Sequence, residues 1–153
     1  MTLNLLATLV LLAQLVVIAI IDLRTLRIPD LLNALLVLTG LGATVFLDRS
    51  ISDAIIGAAL GYLAFAGVGW AYRRARGRDG LGLGDAKLLA GAGAWLGWLY
   101  LPFVVLIAAT LGLVFVAALR LAGRHLGSDH ALAFGPFLCV SIAVVRVVLN
   151  SPA

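Results

Sequence analysis

Two aspartates stand where apolar sequence makes them costly. Asp22 closes an apolar run that begins at Leu3, and Asp85 opens another behind Gly80-Leu81-Gly82-Leu83-Gly84. A carboxylate near the centre of a bilayer costs roughly 2.5–3.5 kcal/mol on insertion scales, and less toward the interface. Two carboxylates held close together resist ionising at once, so one of them keeps a proton. Such a pair can hydrolyse an amide. The ionised member takes a proton from water as the water attacks the carbonyl. The protonated member polarises that carbonyl and later protonates the leaving amine. The two titrate as one coupled system, and the chemistry requires no metal or other cofactor.

Other reactive side chains are less well placed. Ser128, Asp129 and His130 share one loop with no further supporting acid, and Cys139 lies inside an apolar run. As the single cysteine, Cys139 offers neither a disulfide nor a Cys-based metal site. His125 and His130 lack the i, i+4 spacing of a zinc pair. Asp30 and Asp53 fall at expected helix starts, where the dipole favours an acid. Asp48 beside Arg49 and Asp79 beside Arg78 read as solvated. Asp85 has a plain alternative as the N-cap of its run, but a cap needs neither the glycine-dense lead-in nor Lys87 two residues on. Asp22 is too short to snorkel as a longer side chain does. Lys87 does not face Asp85 on a helix. It reads first as snorkelling to headgroups, with orientation of a substrate backbone as the second reading. Gly82 and Gly84 read as turn residues.

The elements that must carry these acids are membrane helices. Of 153 residues, 63% are hydrophobic and 12% charged, against about 45–50% and about 25% in soluble domains. Six apolar runs of roughly 17–21 residues approach the ~20 needed to span: Leu3 to Ile21, Leu31 to Leu47, Ala54 to Tyr72, Gly84 to Tyr100, Leu101 to Leu121 and Ala131 to Leu149. No segment shows strand alternation. The expected fold is one all-α membrane bundle of six helices, a single domain over residues 1–153. Pro29 suits a first helical turn, Ser52 is the expected N-cap of the third run, and Pro102 marks a tight connection. Phe134-Gly135-Pro136-Phe137 breaks the sixth run, as a segment bordering a cavity does. The first run lacks a basic leader segment and a small-residue cleavage site, so it reads as a retained helix.

The net charge of +4 comes from arginines beside the apolar runs, which fits anionic lipid headgroups rather than nucleic acid. Basic residues collect in the first connection (Arg24, Arg27), the third (Arg73, Arg74, Arg76, Arg78) and the fifth (Arg120, Arg124). Cytoplasmic loops carry such an excess. The N-terminus is therefore expected outside, with Trp95, Trp98 and Tyr100 in the outer aromatic belt. Run one then travels inward to Asp22, and run four travels outward from Asp85. Both acids reach the same, cytosolic face. Gly57 and Gly61, and Gly93 and Gly97, stand four apart, a spacing that allows close helix packing.

The segment DGLGLGDAKLLAGAGAWLGW, Asp79 to Trp98, resembles the signature of type IV prepilin leader peptidases, membrane aspartic proteases of the GxGD class. The likeness extends to Asp22 with Ile28-Pro29-Asp30-Leu31 and to Phe134-Gly135-Pro136-Phe137-Leu138. It implies a multi-pass endopeptidase of the bacterial inner membrane. Such an enzyme removes the short basic leader of type IV prepilins or pseudopilins at the cytosolic edge. Asp22 and Asp85 match the catalytic pair. Gly82, Gly84, Lys87, Pro29, Gly135 and Pro136 match the supporting or substrate-binding positions. Longer members carry paired Cys-x-x-C motifs and also methylate the new N-terminus. With one cysteine, this chain resembles a short, peptidase-only form with no methyltransferase activity expected. Its partners are then the prepilin and membrane lipids. Two other readings use the same acids: a non-enzymatic scaffold or small transporter, and a more general intramembrane protease.

Overall fold

A computed structural model describes residues 2–77, 82–123 and 133–150. The expectations for Asp79, Arg78, Arg124, His125, Ser128, Asp129 and His130 lie outside the described residues. Among the described residues six α-helices follow one another: α1 (Thr2–Thr25), α2 (Asp30–Phe46), α3 (Ile51–Arg76), α4 (Leu83–Leu96), α5 (Leu101–Leu121) and α6 (Gly135–Asn150). No strand occurs among the described residues, and the fold is an all-α membrane bundle. The helices α1, α3 and α5 (the last with the turn before it) are long and apolar enough to cross a membrane. Large apolar side chains point outward, such as Leu31, Phe46 and Leu113 at 71, 77 and 72% exposure. Contact with lipid rather than water explains such a surface.

The centre is α4. Ala86 and every residue from Leu88 to Leu96 are buried, as in a helix enclosed on all sides. It packs most extensively on α3, then on α2, and touches α6; α6 in turn packs on α1 and α5. Small residues make the α3–α4 contact possible. A Cβ on Gly57 would stand 2.5 Å from the Gly93 carbonyl oxygen, and one on Gly61 would stand 2.5 Å from that of Leu89. Along α2, Gly91 receives the Leu36 side chain and Gly40 receives Trp95. Leu11, Leu15 and Ile18 of α1 meet Leu138 and Ile142 of α6 in one core.

Several local expectations are corrected. The fourth run does not continue to Tyr100. It stops at Leu96, because Gly97 takes φ 83° and a short 3₁₀ turn, Trp98–Tyr100, leads into α5. Gly97 therefore serves a left-handed turn that side chains avoid, besides lying close to Gly57. The N-cap of α3 is Ser50, which accepts from the Asp53 N–H at 3.3 Å; Ser52 lies inside the helix. Trp95 does not belong to an outer belt. It is 4% exposed, and its Nε1 donates to the Leu36 carbonyl at 3.0 Å, the partner a buried indole needs. Gly135 and Pro136 do not break α6 but begin it, where a proline costs no hydrogen bond.

Candidate active site

The site forms where α1 stops and α2, α4 and α6 start. Asp22 lies in the last full turn of α1 and is buried, 5% exposed. The helix closes through Leu26, which takes φ 53° and donates its N–H to the Asp22 carbonyl at 2.8 Å. A left-handed residue after a helix satisfies the last carbonyls. Here it also turns the chain so that Ile28, 7% exposed, drops beneath two glycines. A Cβ on Gly84 would stand 3.4 Å from the Ile28 Cβ, and one on Gly135 would stand 3.2 Å from its Cδ1. Pro29 then enters α2 with an extended backbone.

Asp85 is the third residue of α4. It is not the N-cap; that position belongs to Gly82, whose carbonyl accepts the Asp85 N–H at 3.1 Å. Gly82 has φ −69°, so its backbone demands no glycine. Gly135 does meet such a demand, through space rather than φ. Its N–H donates to the Asp22 carboxylate, and a Cβ there would come within 2.5 Å of Asp22 Oδ2. The start of α6 is braced from behind by Phe134 against Phe65 and Phe137 against Phe115, with ring centroids 6.4 and 5.6 Å apart.

Asp22 and Asp85 line one cleft of about 320 Å³, together with the α1–α2 turn and the first turn of α4. Three helix N-termini converge on this end of the bundle, and each presents the positive end of its dipole. Gly82, Gly84 and Lys87 line the cleft, while Pro29, Gly135 and Pro136 stand outside its lining. Lys87 has a protein partner: its Nζ is 2.6 Å from Asp30 Oδ1. Asp30, expected only as a helix-start acid, is therefore also an ion-pair partner. Asp48 and Asp53 are exposed and do not line the cleft.

Two residues at the site carry no signal of their own in the sequence, Leu26 in the cleft wall and Asn33 behind it, while Arg27 and Ile28 of the same wall stand out there only as a loop charge and as part of a motif. Asn33 is 2% exposed, and its Nδ2 donates to the Gly84 carbonyl at 3.4 Å. A polar residue three positions after Asp30, on the same helix face, was the available signal.

The profile of the type IV leader peptidase family matches residues 9–117. Curated relatives are named prepilin leader peptidase/N-methyltransferase. The one from Pectobacterium carotovorum is 42% identical over 147 residues, 93% of this chain and 50% of the relative. That of Dickeya chrysanthemi is 44% identical over 138 residues, 88% and 47% of the two chains. That of Pseudomonas aeruginosa is 39% identical over 125 residues, 80% and 42%. The chain thus spans about half the length of these relatives. No solved structure gives a significant match.

Proposed function

The chain belongs to the type IV leader peptidase family, and from that membership we propose that it is a membrane aspartic endopeptidase acting on type IV prepilins or pseudopilins. The observation that carries this reading is that Asp22 and Asp85, far apart in sequence, line one cleft at one end of the bundle. One proton is shared by the pair. The ionised carboxylate activates water against the scissile carbonyl, and the protonated one assists the departing amine. The Gly135 N–H keeps the Asp22 carboxylate aimed into the site.

The substrate follows from family membership and the setting from charge. With Lys87 and Asp30 paired and one proton on the dyad, the single negative charge of Asp22 and Asp85 faces Arg27 in the cleft. The Lys/Arg asymmetry orients this end toward the cytosol of a bacterial inner membrane, with the N-terminus outside. Reaction at this chain ends at cleavage and adds no methyl group, in keeping with its single cysteine. Co-expression with candidate prepilins tests the proposal. The expected result is the mobility shift of leader removal with the native chain and none with Asp85→Asn at equal enzyme level. Equal cleavage by both would overturn the mechanism.

A further inference from the structure

The first turn of α4 is strapped to the first turn of α2 by two contacts that cross. Asp30 and Asn33 share one face of α2, and Gly84 and Lys87 share one face of α4, each pair three residues apart. Lys87 reaches back to Asp30 at 2.6 Å, and Asn33 reaches to the Gly84 carbonyl at 3.4 Å. Asp85 lies between the two strapped positions of α4. Each residue step turns a helix by about 100°, so a small rotation of α4 would carry Asp85 away from Asp22. A single contact is a pivot; two contacts a helical turn apart fix the rotation.

The straps are not needed to hold α2 and α4 together. Farther along, Trp95 Nε1 donates to the Leu36 carbonyl at 3.0 Å and Thr44 Oγ1 donates to that of Ala94 at 3.4 Å, while Leu36 fills the space beside Gly91. Asn33 also sits at a cost. It is buried, and its Oδ1 has no hydrogen-bond partner, an arrangement that opposes stability. Leucine at this position would remove that cost.

We infer that Asn33 and the Asp30–Lys87 ion pair are positioning residues that set the rotation of α4 and so aim Asp85 at Asp22. The inference rests on the reading of Asp85 as a catalytic residue. Its test uses the full chain in membranes and a cognate prepilin, with Asn33→Leu, Asp30→Lys, Lys87→Asp and the double exchange of Asp30 and Lys87. Each single variant lowers kcat roughly 10- to 100-fold, the range of small misplacements, and Asn33→Leu, which leaves the charge of the cleft unchanged, keeps KM within about twofold. The double exchange restores kcat. A raised KM at unchanged kcat, or failure of the exchange to restore kcat in normally accumulating protein, would overturn the inference.

A second arm needs no activity. In a Cys139→Ala background, Asp22→Cys and Asp85→Cys are joined by a short bifunctional thiol reagent. Asn33→Leu lowers the yield by at least about threefold if it releases the rotation that α4 geometry makes sensitive, and an unchanged yield would count against positioning. Loss of cross-linking with no cleavage by the native chain keeps the positioning and sinks the peptidase. Normal cleavage with every variant indifferent in both arms does the reverse.

Discussion

At the scale of the residue, the sharpest constraint is the contact of Gly135 with Asp22. An added methyl would meet the carboxylate itself, so Gly135→Ala displaces one member of the proposed pair. Leader removal is expected to fall by roughly 100-fold, the effect of an ångström-scale misplacement, while the protein still accumulates. Near-normal turnover would show that Asp22 tolerates the shift and is not part of the reacting pair. Asp22→Asn and Asp85→Asn should each abolish cleavage, because members of such a unit fail together. Asp48→Asn and Asp53→Asn should retain it, since both are exposed and away from the cleft. Quantitative leader removal at matched enzyme levels separates the two groups. The acids themselves were legible in the sequence, because an aspartate ending or opening an apolar run needs a reason. The partner of Lys87 was not. Nothing local pairs a residue in α4 with one fifty-seven positions earlier, and a lone lysine at a helix start does snorkel in many membrane helices.

At the scale of the element, glycines decide which helices touch. The carbonyl of Gly57 presses on the position a Cβ of Gly93 would take, so Gly93→Leu should force α3 from α4. Overpacking costs typically about 1–3 kcal/mol, and the expected result is a lower Tm in detergent. Gly67→Leu is the matched control, for a Cβ there meets nothing within 4 Å. Equal Tm values for the two would remove the α3–α4 glycine contact from any account of stability. The four-residue spacing announced this interface, since small residues so placed share a face. Where α4 ends was not announced. Gly97 carried the same spacing signal as Gly93, and only its left-handed backbone separates a packing glycine from a turning one. The cap of α3 is ambiguous in the sequence for a related reason: Ser50 and Ser52 are equivalent in type, and only the path of the chain makes Ser50 the acceptor.

At the scale of the whole molecule, the helix count, order and apolar surface followed from composition and run length, and the distribution of arginine carries the proposed orientation. A cysteine introduced at Arg76 should be labelled from the cytosolic side alone. Labelling from outside intact cells would reverse the orientation and take the site away from basic leaders in the cytosol. The pilin released by this chain, with S-adenosylmethionine present, should show an unmodified N-terminus by mass spectrometry; a mass gain of one methyl group would refute the peptidase-only reading. Arg146 was the residue composition hid best. It stands alone in the sixth apolar run and is fully buried, with Nε donating to Thr8 Oγ1 at 3.2 Å and its guanidinium over the Trp95 ring.

At 14 residues, α4 measures about 21 Å, while a bilayer's hydrocarbon layer is about 30 Å. Charged groups stand near both of its ends, Asp30 with Lys87 at one and Asp53 beside Gly97 at the other. Lipid does not meet this shortfall, because α4 is buried and α1, α3 and α5 are long enough to cross the membrane around it. The helix that carries Asp85 is thereby insulated from the thickness of the bilayer. In vesicles differing only in acyl-chain length, leader removal should stay nearly constant, and a steep dependence on chain length would show that lipid reaches the central helix.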